Sequence, residues 1–277
     1  MKKYRICILS NCQGSGLKDD SILKEAFEED GHEVSLETVF YDEGKDDTFD
    51  IIIRRNTWVS KEEDTDALYE QNQKLVARLT QKEKKTVNLM GHDGAGKGYL
   101  CDLFSQGYGV IPTINTLSKV ELLPDVSTYV LKNIKSFGNG LHQKFVGKED
   151  LSSPDHYKEG DIIQPKLDFT SEIQCYYVGN QSVYTLEYTP SKFPHYPEPK
   201  FITLTAEEQA QADVFAQWSG LVYGFQRVDF LRLADGSLLM MEIEDHAAFM
   251  NIQRLPEPLL SEVLSLYKEN IYTALEA

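Results

Sequence analysis

The stretch "QRVDFLRLADGSLLMMEIED", Gln226 to Asp245, carries two apolar runs around a turn, and its reading decides the fold. Asp235-Gly236 is a strong two-residue hairpin signal between apolar strands. With those two residues as the loop, paired positions sum to a constant: Ala234 faces Ser237, Asp229 faces Glu242 and Arg227 faces Glu244. Side chains alternate across a strand, so Arg227, Asp229, Glu242 and Glu244 all project from one face. The same face continues with Leu231, Leu233, Leu238 and Met240, while the other carries Val228, Phe230, Leu239, Met241 and Ile243. Both faces are largely apolar, and the charge gathers at one end.

Like charges opposite each other destabilise a ladder, and buried carboxylates are costly without compensation. A divalent cation is the natural compensation. Oxygen ligands with no His or Cys among them point to magnesium or manganese rather than zinc. The alternative is a solvated hairpin tip with one Arg–carboxylate bridge. A three-residue turn would shift the pairing by one, but the i, i+2 relation of Glu242 to Glu244 survives either way.

Outward from the hairpin, strand-like runs dominate from Thr128 onward: "TYVLKNI", "DIIQPKL", "EIQCYYVG" and "SVYTLEY". The proline-rich loop Thr189 to Lys200 interrupts them, and helical patterns occupy Ala206 to Gly220 and Pro256 to Ala277, an α+β organisation. The first part of the chain reads differently. "YRICILS" is a buried strand, "SILKEAFEED" a helix and "HEVSLETVF" a second strand, followed by "FDIIIRR", a polar helix from Asp64 to Leu79 and "KTVNLM". This is an α/β lobe of roughly 110 residues, the size of a small domain.

Across 277 residues, 44 acidic and 28 basic side chains give a formal charge of −16. Such a charge repels a phosphate backbone, which argues against a nucleic-acid or anionic-membrane surface and for a small-molecule ligand. The apolar run Ile6 to Leu9 is too short for a signal-peptide core, and no segment is long enough to span a bilayer. Cys7, Cys12, Cys101 and Cys175 show no C-x-x-C spacing, so neither a zinc site nor a disulfide framework is indicated and a cytoplasmic location is expected.

A second nucleotide signal lies in "NLMGHDGAGKGYL", Asn88 to Leu100, where Gly91, Gly96 and Lys97 fit the G-x-x-x-x-G-K spacing of a P-loop. Gly98 occupies the position of the magnesium-binding Ser or Thr, which counts against a P-loop kinase or NTPase. His92, His142, His195 and His246 are isolated, without metal-ligand spacing.

On these motifs the chain resembles the ATP-grasp superfamily, carboxylate–amine ligases that include D-alanine–D-alanine ligase, glutathione synthetase and the ribosomal S6 glutamate ligases. The resemblance runs from about Asn88 to Asn251. It implies a Rossmann-like α/β lobe at 1–115 and an ATP-grasp domain at 116–277, whose small lobe (116–165) and large lobe (166–277) clasp the nucleotide. "RVD" and "EIE" match the family's R-x-D and E-x-N, which implies a magnesium site of Asp229, Glu242 and Glu244 beside Arg227. Glu244 replaces the usual Asn, adding a negative charge without removing a ligand.

The resemblance further implies that Lys132 holds phosphates under a glycine-rich loop with Ser136, Gly138 and Gly140, although Asn133 replaces the usual proline. Gln164, Pro165, Lys166 and Leu167 would present backbone groups to adenine, and Glu172 would contact the ribose. Lys97, ahead of "YLCDLFSQ" and "GYGVIPT", becomes a second phosphate lysine. The expected cofactors are ATP and Mg2+, or Mn2+, and the substrates a small carboxylate and an amine, an amino acid or peptide. The carboxylate would be phosphorylated by ATP, and the amine would attack the resulting acyl phosphate.

Arg227 would stabilise the transferring phosphoryl group or the tetrahedral adduct. Asn11 in the loop after the first strand, Arg55 as a carboxylate clamp, and His246 and Asn251 in "DHAAFMN" are the substrate-facing candidates. Family habit implies a homodimer. The weaker glycine loop and the missing Asn leave a second reading, a degenerate ATP-grasp fold that binds nucleotide or a partner without catalysis.

Overall fold

The computed structural model describes residues 2–11, 15–55, 57, 65–92, 94, 96–133, 143–153, 156–190, 198–246 and 250–277. Three sheets follow one another along the chain.

The first is parallel, in the order β2-β1-β3-β4: β1 is Arg5–Leu9, β2 Glu33–Glu37, β3 Ile51–Arg54 and β4 Thr86–Val87. Strands covered on both faces need apolar residues throughout, and Ile6 to Leu9 and Ile51 to Ile53 have no exposure. Helix α1 (Ser15–Glu29) makes the β1 to β2 crossover, and α2 (Thr65–Gln81) the β3 to β4 crossover.

The second sheet is antiparallel, β6-β5-β7, built from β5 (Thr128–Lys132), β6 (Gln143–Gly147) and β7 (Ile162–Pro165). Helix α3 (Tyr99–Ser105) precedes it. The third is β10-β9-β8-β11-β12, with β8 Ser171–Val178, β9 Gln181–Tyr188, β10 Lys200–Ile202, β11 Phe225–Arg232 and β12 Leu238–Glu244. Strand β10 begins at Lys200, the last residue of the expected proline-rich loop, of which 191–197 lie outside the described residues.

Helix α4 (Ala206–Trp218) starts at a capping box between Thr205 and Glu208 and buries Ala212, Phe215 and Ala216 against Val228, Phe230, Met240 and Ile243. Helix α5 (Glu257–Glu276) buries Val263, Tyr267 and Ile271 in a core that also contains Ile6, Ile8, Ile51 and Ile53 of the first sheet and Tyr176 and Tyr184 of the third. The parallel and the large antiparallel sheet thus share a core. Among the described residues, no helix is long and apolar enough to cross a membrane.

The β11–β12 hairpin corrects one expectation and explains why another holds. The loop has three residues, Ala234 to Gly236, because the Leu233 N–H donates to the Ser237 carbonyl at 2.9 Å and the Gly236 N–H to the Leu233 carbonyl at 3.0 Å. Gly236 has φ +88°, the left-handed conformation that closes such a loop. Alone, this loop would slip every pair by one. A β-bulge at Met241 absorbs the slip: Phe230 pairs with Met240, yet Asp229 pairs with Glu242 and Arg227 with Glu244. Leu238 and Met240 consequently join Val228, Phe230 and Ile243 under α4 and do not share the Asp229 face.

Candidate functional site

The bulge leaves the charged ends of β11 and β12 in register. The Arg227 guanidinium forks onto Asp229, with Nε to Oδ1 and Nη2 to Oδ2 both at 2.7 Å, and reaches Glu244 Oε1 from Nη2 at 2.8 Å. Its Cζ also lies 5.8 Å from the centre of the Tyr176 ring. One carboxylate oxygen each from Asp229, Glu242 and Glu244 lies within 4.8 Å of the others.

Burial and the neighbouring carboxylates Glu242 and Glu172 raise Asp229 against the pull of Arg227, to about 7. Glu242 goes the other way: burial raises it, but Lys97, Lys132 and Arg227 outweigh that and hold it ionised. Three all-oxygen donors at this spacing, one of them pushed upward by burial and then by neighbouring carboxylates, fit a magnesium-sized hard cation, which would offset both.

Two lysines from other segments converge on Glu242. Lys97 forms an ion pair with it and is only 7% exposed. Lys132, at the end of β5, stands close enough to feel both: burial and Lys97 push its ammonium down to about 8, while Glu242 pulls it up. The ordinary lysine value is 10.5, so burial and a neighbouring ammonium weaken the hold of Lys132 on its proton.

The glycines around Lys97 have a packing role. Asn88, His92, Tyr99, Val110 and Ile111 all bond or pair along β12, the edge of the large sheet, or with Asp245 just beyond it. Asn88 donates to the Phe225 and Asp245 carbonyls at 3.0 Å each, and the His92 N–H donates to Asp245 Oδ2 at 2.8 Å. A Cβ on Gly91 would come within 2.1 Å of Asp245 Oδ1, and one on Gly94 within 2.9 Å of the His246 ring. Tyr99 Oη accepts from the Ile243 N–H at 2.8 Å. Within the P-loop spacing, Gly91 is therefore held by close packing against Asp245, just beyond β12, and Gly96 has a positive φ of 95°. The helix that follows, α3, has only seven residues.

Glu172 lies on the β8 face shared with Asp229, opposite Leu231; burial raises it, and Gln174 Nε2 donates to it at 2.8 Å. Gln174 and Tyr176 occupy the same face. Tyr176 Oη donates to Gln174 Oε1 at 2.6 Å and accepts from Asn251 Nδ2 at 2.7 Å. These two polar side chains were not singled out from sequence, although period-two alternation in "EIQCYYVG" places them beside Glu172.

Gln164 is 2% exposed and donates to Thr113 Oγ1 at 2.8 Å, and the Lys166 N–H donates to the Thr128 carbonyl at 3.0 Å. Pro165 is buried on β7, an edge strand where its missing N–H is tolerated, and Leu167 is half-buried in the link to β8. Ser136, Gly138 and Gly140 lie outside the described residues.

The substrate candidates do not gather into one cluster. Asn11 Oδ1 accepts from the Val39 N–H at 3.0 Å. Arg55 is fully buried and pairs with Asp20 of α1 at 3.4 Å. His246 is buried behind Gly94, where burial and then Arg54 hold it well below the usual histidine range. Asn251 alone connects to the Glu172 face, through Tyr176, and its backbone N–H donates to Asp19 at 2.8 Å.

Against known proteins, no family model and no curated protein matches the chain. Solved structures do. The D-cycloserine synthetase DcsG superposes with a TM-score of 0.73 at 16% identity, covering 96% of this chain and 99% of that one. The ATP-grasp ligase PsnB, complexed with minimal precursor, Mg and ADP, gives 0.61 at 15% identity, covering 96% and 99%. D-alanine–D-alanine ligase from Bacillus anthracis, complexed with ATP, gives 0.63 at 15% identity, covering 99% and 98%. The chain has the ATP-grasp fold.

Proposed function

We propose that this protein is an ATP-dependent ligase that joins a carboxylate to an amine through an acyl phosphate, with magnesium. The observation that carries the proposal is the convergence of Asp229, Glu242 and Glu244 with Arg227, Lys97 and Lys132, drawn from three separate segments, on one face of a sheet in an ATP-grasp fold. The division into an α/β lobe at 1–115 and a nucleotide-clasping domain at 116–277, split near 165, belongs to the same proposal.

Asp229, Glu242 and Glu244 would hold the metal, with Mg2+ as the first choice for hard oxygen donors and Mn2+ as the substitute. A bound divalent cation would supply charge neutralisation at the transferring phosphoryl oxygens. Lys97 and Lys132 would hold phosphate oxygens as point charges. Arg227, fixed by two carboxylates, would stabilise charge on the transferring phosphoryl group or the tetrahedral adduct. Ser136, Gly138 and Gly140 are assigned to phosphate contact, and Gln164 to Leu167 and Glu172 to nucleotide contact, on the sequence resemblance.

The relatives in fold range from a D-cycloserine synthetase to a ligase solved with a precursor peptide, which supports a substrate range from amino-acid-sized molecules to peptides. The assay is ADP release from ATP and Mg2+ with a mixed pool of amino acids and small carboxylates. Release above the substrate-free baseline is the expected result. A flat baseline, with ATP bound, would favour a non-catalytic nucleotide binder.

A further inference from the structure

Lys97 sits on backbone pinned on both sides. Before it, Asn88 and His92 are tied to Phe225 and Asp245, and Gly91 packs against Asp245; after it, Tyr99 binds Ile243. These anchors hold the segment against Ile243 and Asp245, next to Glu242 on β12, so an exchange of partner at Lys97 falls to its side chain rather than its backbone. Each carboxylate of the cluster already faces a cation of the protein. Arg227 takes Asp229 and Glu244, and Lys97 takes Glu242.

We propose that Lys97 is a built-in countercation: in the nucleotide-free protein its ammonium holds the Glu242 carboxylate and disfavours a bare divalent cation, and it releases that carboxylate when nucleotide phosphates arrive with their metal. Two cations cannot take the same carboxylate without repelling each other. A bare Mg2+ ion must displace the ammonium while standing beside Arg227 and Lys132. Metal that arrives with phosphates brings anionic oxygens, which take the ammonium in exchange. Lys97 thus sets the order of binding, nucleotide and metal together rather than metal first. The inference rests on the ligase reading only in taking Glu242 as a metal ligand.

The test is calorimetric titration of Mg2+ alone into the nucleotide-free protein, comparing wild type with Lys97→Met, Lys97→Gln and Lys97→Arg. Methionine keeps an apolar stem and removes the charge. The two neutral variants should bind Mg2+ roughly tenfold tighter than wild type or more, the scale on which a close opposite charge shifts a carboxylate's preference. The arginine variant should stay with wild type. Unchanged or weaker Mg2+ binding in whichever neutral variant folds, verified by circular dichroism, overturns the proposal, as does tightening in Lys97→Arg. An enzyme that turns over ATP but shows no tightening loses only the countercation. Absence of ADP release with every substrate, while the neutral variants do tighten, sinks the ligase reading instead.

Discussion

The Arg227 cluster leaves the Glu242 and Glu244 side chains each 21% exposed, whereas the Arg55–Asp20 pair has no exposure on either side. Both are buried meetings of guanidinium and carboxylate. The first gathers three carboxylates on neighbouring strands with cations from separate segments, and two of its carboxylates keep partial exposure. The second joins α1 to the end of β3 and is sealed under Phe225, whose ring lies 5.9 Å from the guanidinium, with Asp19 beside it accepting from the Asn251 and Gln253 N–H groups. A partly exposed meeting of charges from several segments marks a binding site; one with no exposure marks a staple between elements.

Breaking the staple should cost the most stability. Arg55→Met strands Asp20 in the core, and its loss should be about 3 to 5 kcal/mol in urea unfolding. If that variant keeps its stability and loses turnover, Arg55 belongs with the reactive cluster and the comparison fails.

Asp19 offers a pH test of the same staple. Burial raises its carboxyl from 3.8 to about 6, against the pull of Arg55 and the two backbone N–H groups. The folded state then binds more protons than the unfolded chain in this window, so Asp19 subtracts stability as pH rises from about 4 to 6, by about 3 kcal/mol in all. Asp19→Asn should flatten that decline in a series of urea midpoints; an unchanged slope would remove Asp19 from the buried cluster.

Gly91→Ala tests the scaffold of the open cluster instead. Its Cβ would stand 2.1 Å from Asp245 Oδ1 and 2.7 Å from the Asp245 carbonyl oxygen, so the residue next to Glu244 must move. A loss of about 1 to 3 kcal/mol in thermal unfolding is expected, with weaker turnover as well. Thr205→Ala removes the α4 cap, away from both clusters, and should cost about 1 kcal/mol while leaving ADP release as it was. A large activity loss there would show that the two clusters are not energetically separate.

Much of this architecture is legible in the chain because apolar runs at period two or near period four leave few choices of element. The pairing of Asp229 with Glu242 is legible for a subtler reason: the extra turn residue and the bulge at Met241 offset each other, and neither has a clear mark in "ADGSLLMME". The same pair of irregularities moved Leu238 and Met240 to the opposite face. Lys97 was readable by spacing, but its partner was not, since Glu242 lies 145 positions away and only tertiary packing brings them together. For the same reason nothing local distinguishes Arg55 as a staple from Arg55 as a clamp, because Asp20 reaches it only once α1 is docked. Tyr176 and Gln174 were hidden differently, since on sequence alone a polar residue in a strand is ordinary.

The most direct measurement is ADP release by Glu242→Gln, taken together with its thermal midpoint, using the substrates that support the wild type. A loss of roughly a hundredfold or more, with the fold retained, is the predicted result, since this residue would hold the metal that neutralises the transferring phosphoryl group. Full ADP release by a folded Glu242→Gln protein would contradict the assignment of the β11–β12 face as the reactive centre.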